Sequence, residues 1–181
     1  MAVNQPKKKQ PLRNNEYYNT QELFDDLYEK SHHGKIFTHL MELITSEQNI
    51  LLAYRAIKKN KGSKTKGVNS TTIVEMGEKQ PEELIAYVRK RMQNFHPYAV
   101  RRVEIPKPDG RMRPLGIPTM EDRIIQQCIK QVLEPICEAK FYKHSYGFRP
   151  NRSAHHAVAR AMFLVNISKY RYVVDVDIKG V

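Results

Sequence analysis

Apolar residues recur every three or four positions through most of the chain, which is the spacing of helices that bury one face. With the polar residues that open and close such segments, the pattern predicts six helices. They are a helix opened by Thr20, Lys35–Ile44, a helix capped by Ser46 that ends near Asn60, Glu82–Gln93 after Pro81, a helix capped by Thr119 that runs from Met120 to about Phe141, and one opened by Asn151 or Ser153 that ends near Ile167. Pro135 should kink or divide the fifth helix.

A strand-like alternation of polar and apolar residues flanks Pro108-Asp109-Gly110, and it predicts a β-hairpin with glycine in the left-handed position of the turn. A three-residue loop pairs Lys107 with Arg111 and Ile105 with Arg113, so that these side chains share one face. That face is apolar at its base, where we expect it to be anchored, and cationic at its tip, with no acid among the cations. The tip suits a phosphate-rich ligand, although an ordinary solvated turn has the same composition.

A β-branched run at 171–178 predicts a strand at the end of the chain. Asp175 and Asp177 share one face of this strand, and the other face is apolar. A carboxylate in a buried strand is costly unless it is paired or binds a cation, and oxygen ligands suit Mg²⁺. The pattern fits either part of a metal site or two salt-bridged aspartates on an edge strand.

The composition favours a polyanionic partner, since the formal net charge is +12. Forty per cent hydrophobic residues are enough for a core. Cys128 and Cys137 lie nine positions apart on one predicted helix, roughly 13 Å along its axis, so they should not form a disulfide. We therefore expect a reducing, cytoplasmic location. No apolar run is long enough for a bilayer span or a signal peptide, so we expect no membrane association.

Two segments concentrate positive charge. Residues 1–19 combine lysines with polar residues and prolines, and are expected to form a disordered basic tail. The second segment follows the third predicted helix, and it is either a flexible cationic loop along a nucleic-acid backbone or a simple exposed linker. Its residues are Lys61, Gly62, Ser63, Lys64, Thr65 and Lys66. The order of glycines and lysines differs from a Walker A motif, and neither a Ser/His/Asp constellation nor a dinucleotide fingerprint is visible.

Four blocks of the sequence, in order, resemble the group II intron reverse transcriptases (maturases). The blocks are Asn60–Val68, Val103–Gln127, Ser145–Ser153 and Val174–Gly180. The resemblance implies an α+β fold, namely the fingers of a right-hand polymerase with its first palm strand. The implied domains are the tail at 1–19, an N-terminal extension with the first fingers helices at 20–98, the fingers at 99–170 and a truncated palm strand at 171–181.

The resemblance also implies roles for single residues. Lys107 and Arg113 match the fingers residues that hold the triphosphate of the incoming nucleotide. Asp177 matches the first catalytic aspartate, which is a Mg²⁺ ligand together with the carbonyl of Ile178. Residues 61–66 match a loop that approaches the template RNA. Arg111 matches no phosphate ligand, and is retained as a candidate for backbone binding.

The implied function is RNA-directed DNA synthesis in group II intron retrotransposition, together with a maturase role in intron splicing. Its implied partners are intron RNA as template, a DNA or RNA primer, deoxynucleoside triphosphates and Mg²⁺. The Tyr-Ala-Asp-Asp motif and the thumb of the family are not among the 181 residues. We therefore expect this chain alone to lack polymerase activity, and to self-associate through an uncovered sheet edge.

Two alternatives remain open from the sequence. The chain could be a module that binds intron RNA in the manner of a maturase without synthesising DNA, because its basic segments would suffice for that. It could also be the product of a decayed or frameshifted reading frame.

Overall fold

The protein is α+β, with helices and one two-stranded antiparallel sheet, and its computed structural model describes residues 14–178. The described elements are α1 (Asn14–Tyr17), α2 (Gln21–His32), α3 (Leu40–Ile44), α4 (Glu47–Lys59), a 3₁₀-helix (Lys61–Lys64), α5 (Ile73–Gly77), α6 (Pro81–Gln93), β1 (Arg101–Pro106), β2 (Met112–Ile117), α7 (Met120–Glu138) and α8 (Ala154–Asn166). The described residues fall into two compact units, which divide between Ala139 and Lys140. Within residues 14–178, no helix is both long enough and apolar enough to cross a membrane.

Three predicted helix starts are confirmed by the hydroxyl groups that cap them. The hydroxyl oxygens of Ser46, Thr119 and Ser153 accept hydrogen bonds from the backbone N–H groups three residues later, at the starts of α4, α7 and α8. Each bond satisfies a donor that the first helical turn leaves without a partner.

The first half of the chain departs from the prediction in two places. The predicted helix Lys35–Ile44 begins at Leu40, because His39 adopts a left-handed backbone conformation with φ of 59°. Thr20 precedes α2 as predicted, but its hydroxyl donates to the carbonyl of Asn15, 3.0 Å away, instead of capping the helix.

Two further differences concern the proline inside α7 and a helix that was not predicted. Pro135 does not divide α7, which runs through it to Glu138. The short helix α5 was missed. Its start is stabilised by the carboxylate of Glu75, which accepts from the backbone N–H of Thr72 at 2.9 Å.

A disordered tail is predicted for residues 1–19. Residues 1–13 lie outside the described part of the chain, and the prediction is wrong for part of 14–19. Asn14–Tyr17 form α1. This short helix lies beside α4, where the guanidinium of Arg55 lies 5.4 Å from the centre of the Tyr17 ring. A cation over an aromatic face is attractive, and this contact helps to hold α1 in place.

The core of the first unit is organised around α7, which packs against α2, α3, α4 and α6. Ile124, Cys128 and Val132 lie one helical turn apart on α7 and are completely buried. Ile50 and Ala53 of α4 are equally inaccessible. On each helix these residues lie three or four positions apart, so they form one buried face.

A buried amide network fixes α4 against α7. The side-chain amide of Asn49 donates to the carbonyls of Ile44 and Cys128 at 2.9 and 3.0 Å. Its oxygen accepts from the side chain of Gln131 at 2.7 Å. Because a buried amide without partners is costly, these bonds select one register of the two helices.

The strand predicted at 171–178 is wrong for the described residues. No strand forms there, and the side chains are exposed. A strand is stabilised by a neighbour that pairs with its backbone. Among residues 14–178, the only paired strands are β1 and β2.

The two cysteines should differ sharply in reactivity. Both are free thiols, and burial raises the pKa of Cys128 to about 12, whereas Cys137 is exposed. The thiolate is the reactive species, so a maleimide at neutral pH should label Cys137 in the folded protein and Cys128 only after denaturation. Mass spectrometry of labelled Cys137→Ser protein provides the control: rapid labelling of folded Cys137→Ser would contradict the burial of Cys128.

Candidate nucleotide and template interface

The tip of the hairpin has the predicted turn and register. The N–H of Lys107 donates to the carbonyl of Arg111 at 2.8 Å, and the N–H of Gly110 donates to the carbonyl of Lys107 at 3.0 Å. Gly110 has φ of +80°, the left-handed region in which glycine carries no steric penalty. Ile105 lies opposite Arg113, so the face inferred from the sequence is the face that forms.

An acid does lie among the tip cations, contrary to the prediction. The carboxylate of Asp109 accepts from the backbone N–H, Nε and Nη2 of Arg111 at 3.0, 2.9 and 2.7 Å. These bonds hold the pKa of Asp109 below its usual range. The turn brings the two side chains together, because only one residue separates them. The charge of Arg111 is thus partly neutralised within the turn.

Lys107 and Arg113 remain available on the same face. Among the described residues, neither forms an ion pair with a carboxylate. They occupy diagonal positions across the two strands, about 7–8 Å apart at the backbone, which is within reach of one extended polyanion. Both side chains are exposed, so a ligand can approach them from solvent.

The base of the hairpin is less buried than the sequence suggests. Ile105 and Leu115 are exposed, and Val103 and Ile117 are half-buried. The expectation that the apolar base is anchored is therefore wrong for Ile105 and Leu115, which lie on strands that pack chiefly against each other.

The basic segment at 61–66 is an ordered turn. Lys61–Lys64 form a 3₁₀-helix, in which the N–H groups of Ser63 and Thr65 donate to the carbonyls of Asn60 and Gly62 at 2.9 and 3.0 Å. Ser63 is buried, while Lys61, Lys64 and Lys66 are exposed. The prediction of a flexible loop is therefore wrong, and the lysines project from a defined backbone. We call residues 61–66 the basic turn.

The basic turn is attached to the start of α7 and to the hairpin base. The guanidinium of Arg123 donates to the carbonyls of Gly62, Thr65 and Pro118 at 3.0, 3.1 and 3.1 Å. Arg101, the first residue of β1, donates from Nε to the carbonyl of Lys66 at 3.0 Å.

A close backbone approach completes this attachment. A Cβ atom on Gly67 would lie 2.7 Å from the Cα of Thr119, a distance at which only glycine fits. The segment that follows the basic turn is therefore packed directly on the cap of α7.

Sequence reasoning assigned no role to Arg123. A signal was available, because a cation in the first turn of a helix opposes the helix dipole, and such a position favours acids. Burial lowers the pKa of Arg123, and repulsion from Arg101 lowers it further.

The two acids that precede Arg123 hold other segments to the same turn of α7. Asp122 is buried and accepts from Nη2 of Arg91 at 2.9 Å and from the N–H of Tyr98 at 2.7 Å. Glu121 accepts from the side-chain amide of Asn69 at 3.0 and 3.1 Å. The first turn of α7 thus fixes both the segment after the basic turn and the connection into β1.

The structure brings Lys107 and Arg113 together, and ties the basic turn to the same unit, but Asp175, Asp177 and Ile178 belong to the second unit. Both aspartates are exposed. The carboxylate of Asp177 and the carbonyl of Ile178 are hard oxygen donors of the kind that Mg²⁺ prefers. Within residues 14–178, no three His, Cys, Asp or Glu side chains cluster as a metal site would require. The last two residues of the block Val174–Gly180 lie outside the described residues.

Comparison with known proteins identifies a family. Residues 105–181 match the family described as reverse transcriptase (RNA-dependent DNA polymerase). The chain is 40% identical over 121 residues to protein YkfC of Escherichia coli (strain K12), covering 66% of this chain and 32% of YkfC. It is 35% identical over 147 residues to the group II intron-encoded protein LtrA of Lactococcus lactis subsp. cremoris, covering 81% of this chain and 24% of LtrA.

A shorter match extends to plants. Over 35 residues the chain is 49% identical to nuclear intron maturase 2, mitochondrial, of Arabidopsis thaliana, which covers 19% of this chain and 5% of that protein. The chain spans about a third or less of the length of the curated relatives described here.

The pairing of Asp109 with Arg111 predicts that Asp109→Asn strengthens anion binding at the tip. The substitution releases Arg111 and removes a negative charge, so the affinity for inorganic tripolyphosphate should rise several-fold in a calorimetric titration. Glu104→Gln removes the same charge from the opposite face of β1 and is the matched control. Equal gains from the two variants would show that overall charge, and not the tip geometry, governs binding.

Proposed function

Residues 105–181 belong to the reverse transcriptase family, most of the chain is similar to group II intron-encoded proteins, and on that premise we propose that it forms the fingers region of an RNA-directed DNA polymerase. The proposed polymerase serves group II intron retrotransposition and splicing. Because the chain spans about a third or less of its relatives, polymerase activity is proposed for the whole protein rather than for residues 1–181 alone.

The observation that carries this proposal is the pair of free cations on the hairpin. Lys107 and Arg113 share a face, lie diagonally across two strands and have no carboxylate partner among the described residues. In the proposed role they bind the triphosphate of the incoming deoxynucleotide. They hold it in place and offset the charge that develops on its phosphates during transfer. Arg111, engaged by Asp109, has a secondary part.

The basic turn provides the proposed contact to the template. Lys61, Lys64 and Lys66 are exposed on an ordered backbone, and the turn carries no acid. Lysines spaced along such a turn can follow successive phosphates of a single strand without reading its bases. In this arrangement the hairpin binds the nucleotide and the turn binds the template.

We assign the Mg²⁺ ligands of the proposed polymerase in this chain to the carboxylate of Asp177 and the carbonyl of Ile178. Their oxygen donors fit the ion chemically. When bound, Mg²⁺ would neutralise phosphate charge and activate the primer hydroxyl. The contribution of Asp177 itself is to supply a negatively charged carboxylate oxygen to the ion.

Intron RNA binding without DNA synthesis is the second candidate function. It is favoured by the exposed lysines of the basic turn and by the similarity to proteins named as intron maturases. This role requires the basic turn, but it does not require the free cations of the hairpin. Separate titrations with nucleotide and with RNA therefore distinguish the two functions.

Lys107→Ala and Arg113→Ala should each weaken binding of a Mg²⁺–deoxynucleoside triphosphate by about tenfold or more, since each removes a charge-assisted hydrogen bond of about 1.5–3 kcal/mol. Binding of a single-stranded RNA oligonucleotide should change much less. Fluorescence anisotropy measures both affinities on the same protein. Arg102→Ala, which removes a cation from the opposite face of β1, should affect neither.

Unchanged nucleotide affinity in both variants would argue against the triphosphate role. If the unsubstituted chain binds RNA but no nucleotide, the second candidate function is favoured.

A further inference from the structure

We propose that Arg123 is the positioning residue that sets the template-binding turn relative to the nucleotide-binding hairpin. This inference rests on the proposed function, because it assigns a role to Arg123 in the same two sites. Arg123 itself touches neither ligand. Its guanidinium acts by holding backbone carbonyls on both sides of the junction between the two sites.

The contacts of Arg123 join three separate points of the chain. Two of its N–H groups hold the carbonyls of Gly62 and Thr65, which are the second and fifth residues of the basic turn. The third holds the carbonyl of Pro118, immediately after β2. One side chain thus spans the turn that carries the lysines and the end of the strand that carries Arg113.

The geometry requires the fork of an arginine. The three carbonyls are 58, 61 and 5 residues from Arg123 in sequence, and each accepts from a different nitrogen of the guanidinium. A lysine has a single nitrogen at the end of its stem, so it cannot span carbonyls that are distributed around a planar group. The charge of Arg123 meets carbonyl dipoles here, and no carboxylate pairs with it among the described residues.

Two neighbouring contacts limit how the basic turn can move. Arg101 holds the carbonyl of Lys66, and Gly67 lies against the backbone of Thr119. These contacts fix the C-terminal end of the turn. Arg123 holds the rest of the basic turn through the carbonyls of Gly62 and Thr65. Loss of Arg123 should therefore release the lysines, while the C-terminal end of the turn stays attached.

The test combines hydrogen exchange with RNA binding on Arg123→Ala, Arg123→Lys and a control. The control, Lys130→Ala, removes the same charge from an exposed position of the same helix. The backbone amides of Ser63 and Thr65 report on the basic turn, since both bond within it. Circular dichroism verifies folding, and Arg123→Lys, which keeps the stem and the charge, carries the test if Arg123→Ala does not fold.

We expect both Arg123 variants to exchange these two amides roughly tenfold faster or more, because the local opening of the turn becomes easier. Affinity for a single-stranded RNA oligonucleotide should fall by about tenfold. The slope of log affinity against log salt should become shallower by about 2. This is the change expected when three lysines lose their contacts to the phosphates of a single strand, at about 0.7 for each contact. Lys130→Ala should resemble the unsubstituted protein in each measurement.

Three results would overturn the inference. Unchanged exchange at Ser63 and Thr65 would show that Arg123 does not hold the turn. Full recovery by Arg123→Lys, with a slope change of only about 0.7 in Arg123→Ala, would show that Arg123 contacts phosphate directly. Faster exchange with unchanged RNA affinity would show that the position of the turn does not govern binding.

A separate variant tests the underlying function. Replacing Lys61, Lys64 and Lys66 with Gln should weaken RNA binding while leaving the exchange of the Ser63 and Thr65 amides slow. If RNA affinity survives that triple substitution, the template role of the basic turn fails, and the exchange measurement still decides whether Arg123 holds the turn.

Discussion

The first turn of α7 is the structural constraint on which both candidate sites depend. Thr119 caps it, and the buried face of the same helix forms the centre of the core. Its next residues then reach in different directions: Glu121 to Asn69, Asp122 to Arg91 and Tyr98, and Arg123 to the basic turn. Because a buried carboxylate is stable only with partners, Asp122 holds Arg91 and the backbone of Tyr98 against the start of α7. The buried residues of α7 thereby position the surface segments that carry the exposed cations.

Contacts within the protein decide which surface cations remain available to bind a ligand. Net positive charge draws a polyanion to the whole molecule, but it does not choose a site. Asp109 engages Arg111, carbonyls engage Arg101 and Arg123, and the described part of the hairpin leaves Lys107 and Arg113 without a carboxylate partner. The same logic applies to the basic turn, whose lysines are exposed while its backbone carbonyls are held. Binding capacity therefore lies with the cations that the fold does not use.

Local patterns in the sequence were sufficient for much of this fold. Helical spacing predicted α4 and α7, although Ile50 and Ala53, which are completely buried in α4, were not singled out from the sequence. Polar residues predicted the caps at Ser46 and Thr119 and one of two alternatives, Ser153, for α8. Pro108-Asp109-Gly110 predicted the turn with its register. Features that depend on distant residues were missed. The left-handed His39 shortened α3, and the guanidinium of Arg123 ordered a turn nearly 60 residues away. The predicted strand at 171–178 required a pairing partner that local sequence cannot supply. The role of Asp177 rests on family resemblance, whereas the face shared by Lys107 and Arg113 followed from strand geometry.

The most direct test of this account is a distance measurement between the basic turn and the hairpin. Spin labels on Lys64→Cys and Glu104→Cys, in a Cys137→Ser background, can be read by double electron–electron resonance without interference from buried Cys128. If Arg123 and the first turn of α7 hold the two elements together, the distance distribution should be single and narrow, and Arg123→Ala should broaden it. A broad distribution with Arg123 present, or one that Arg123→Ala leaves unchanged, would contradict the account.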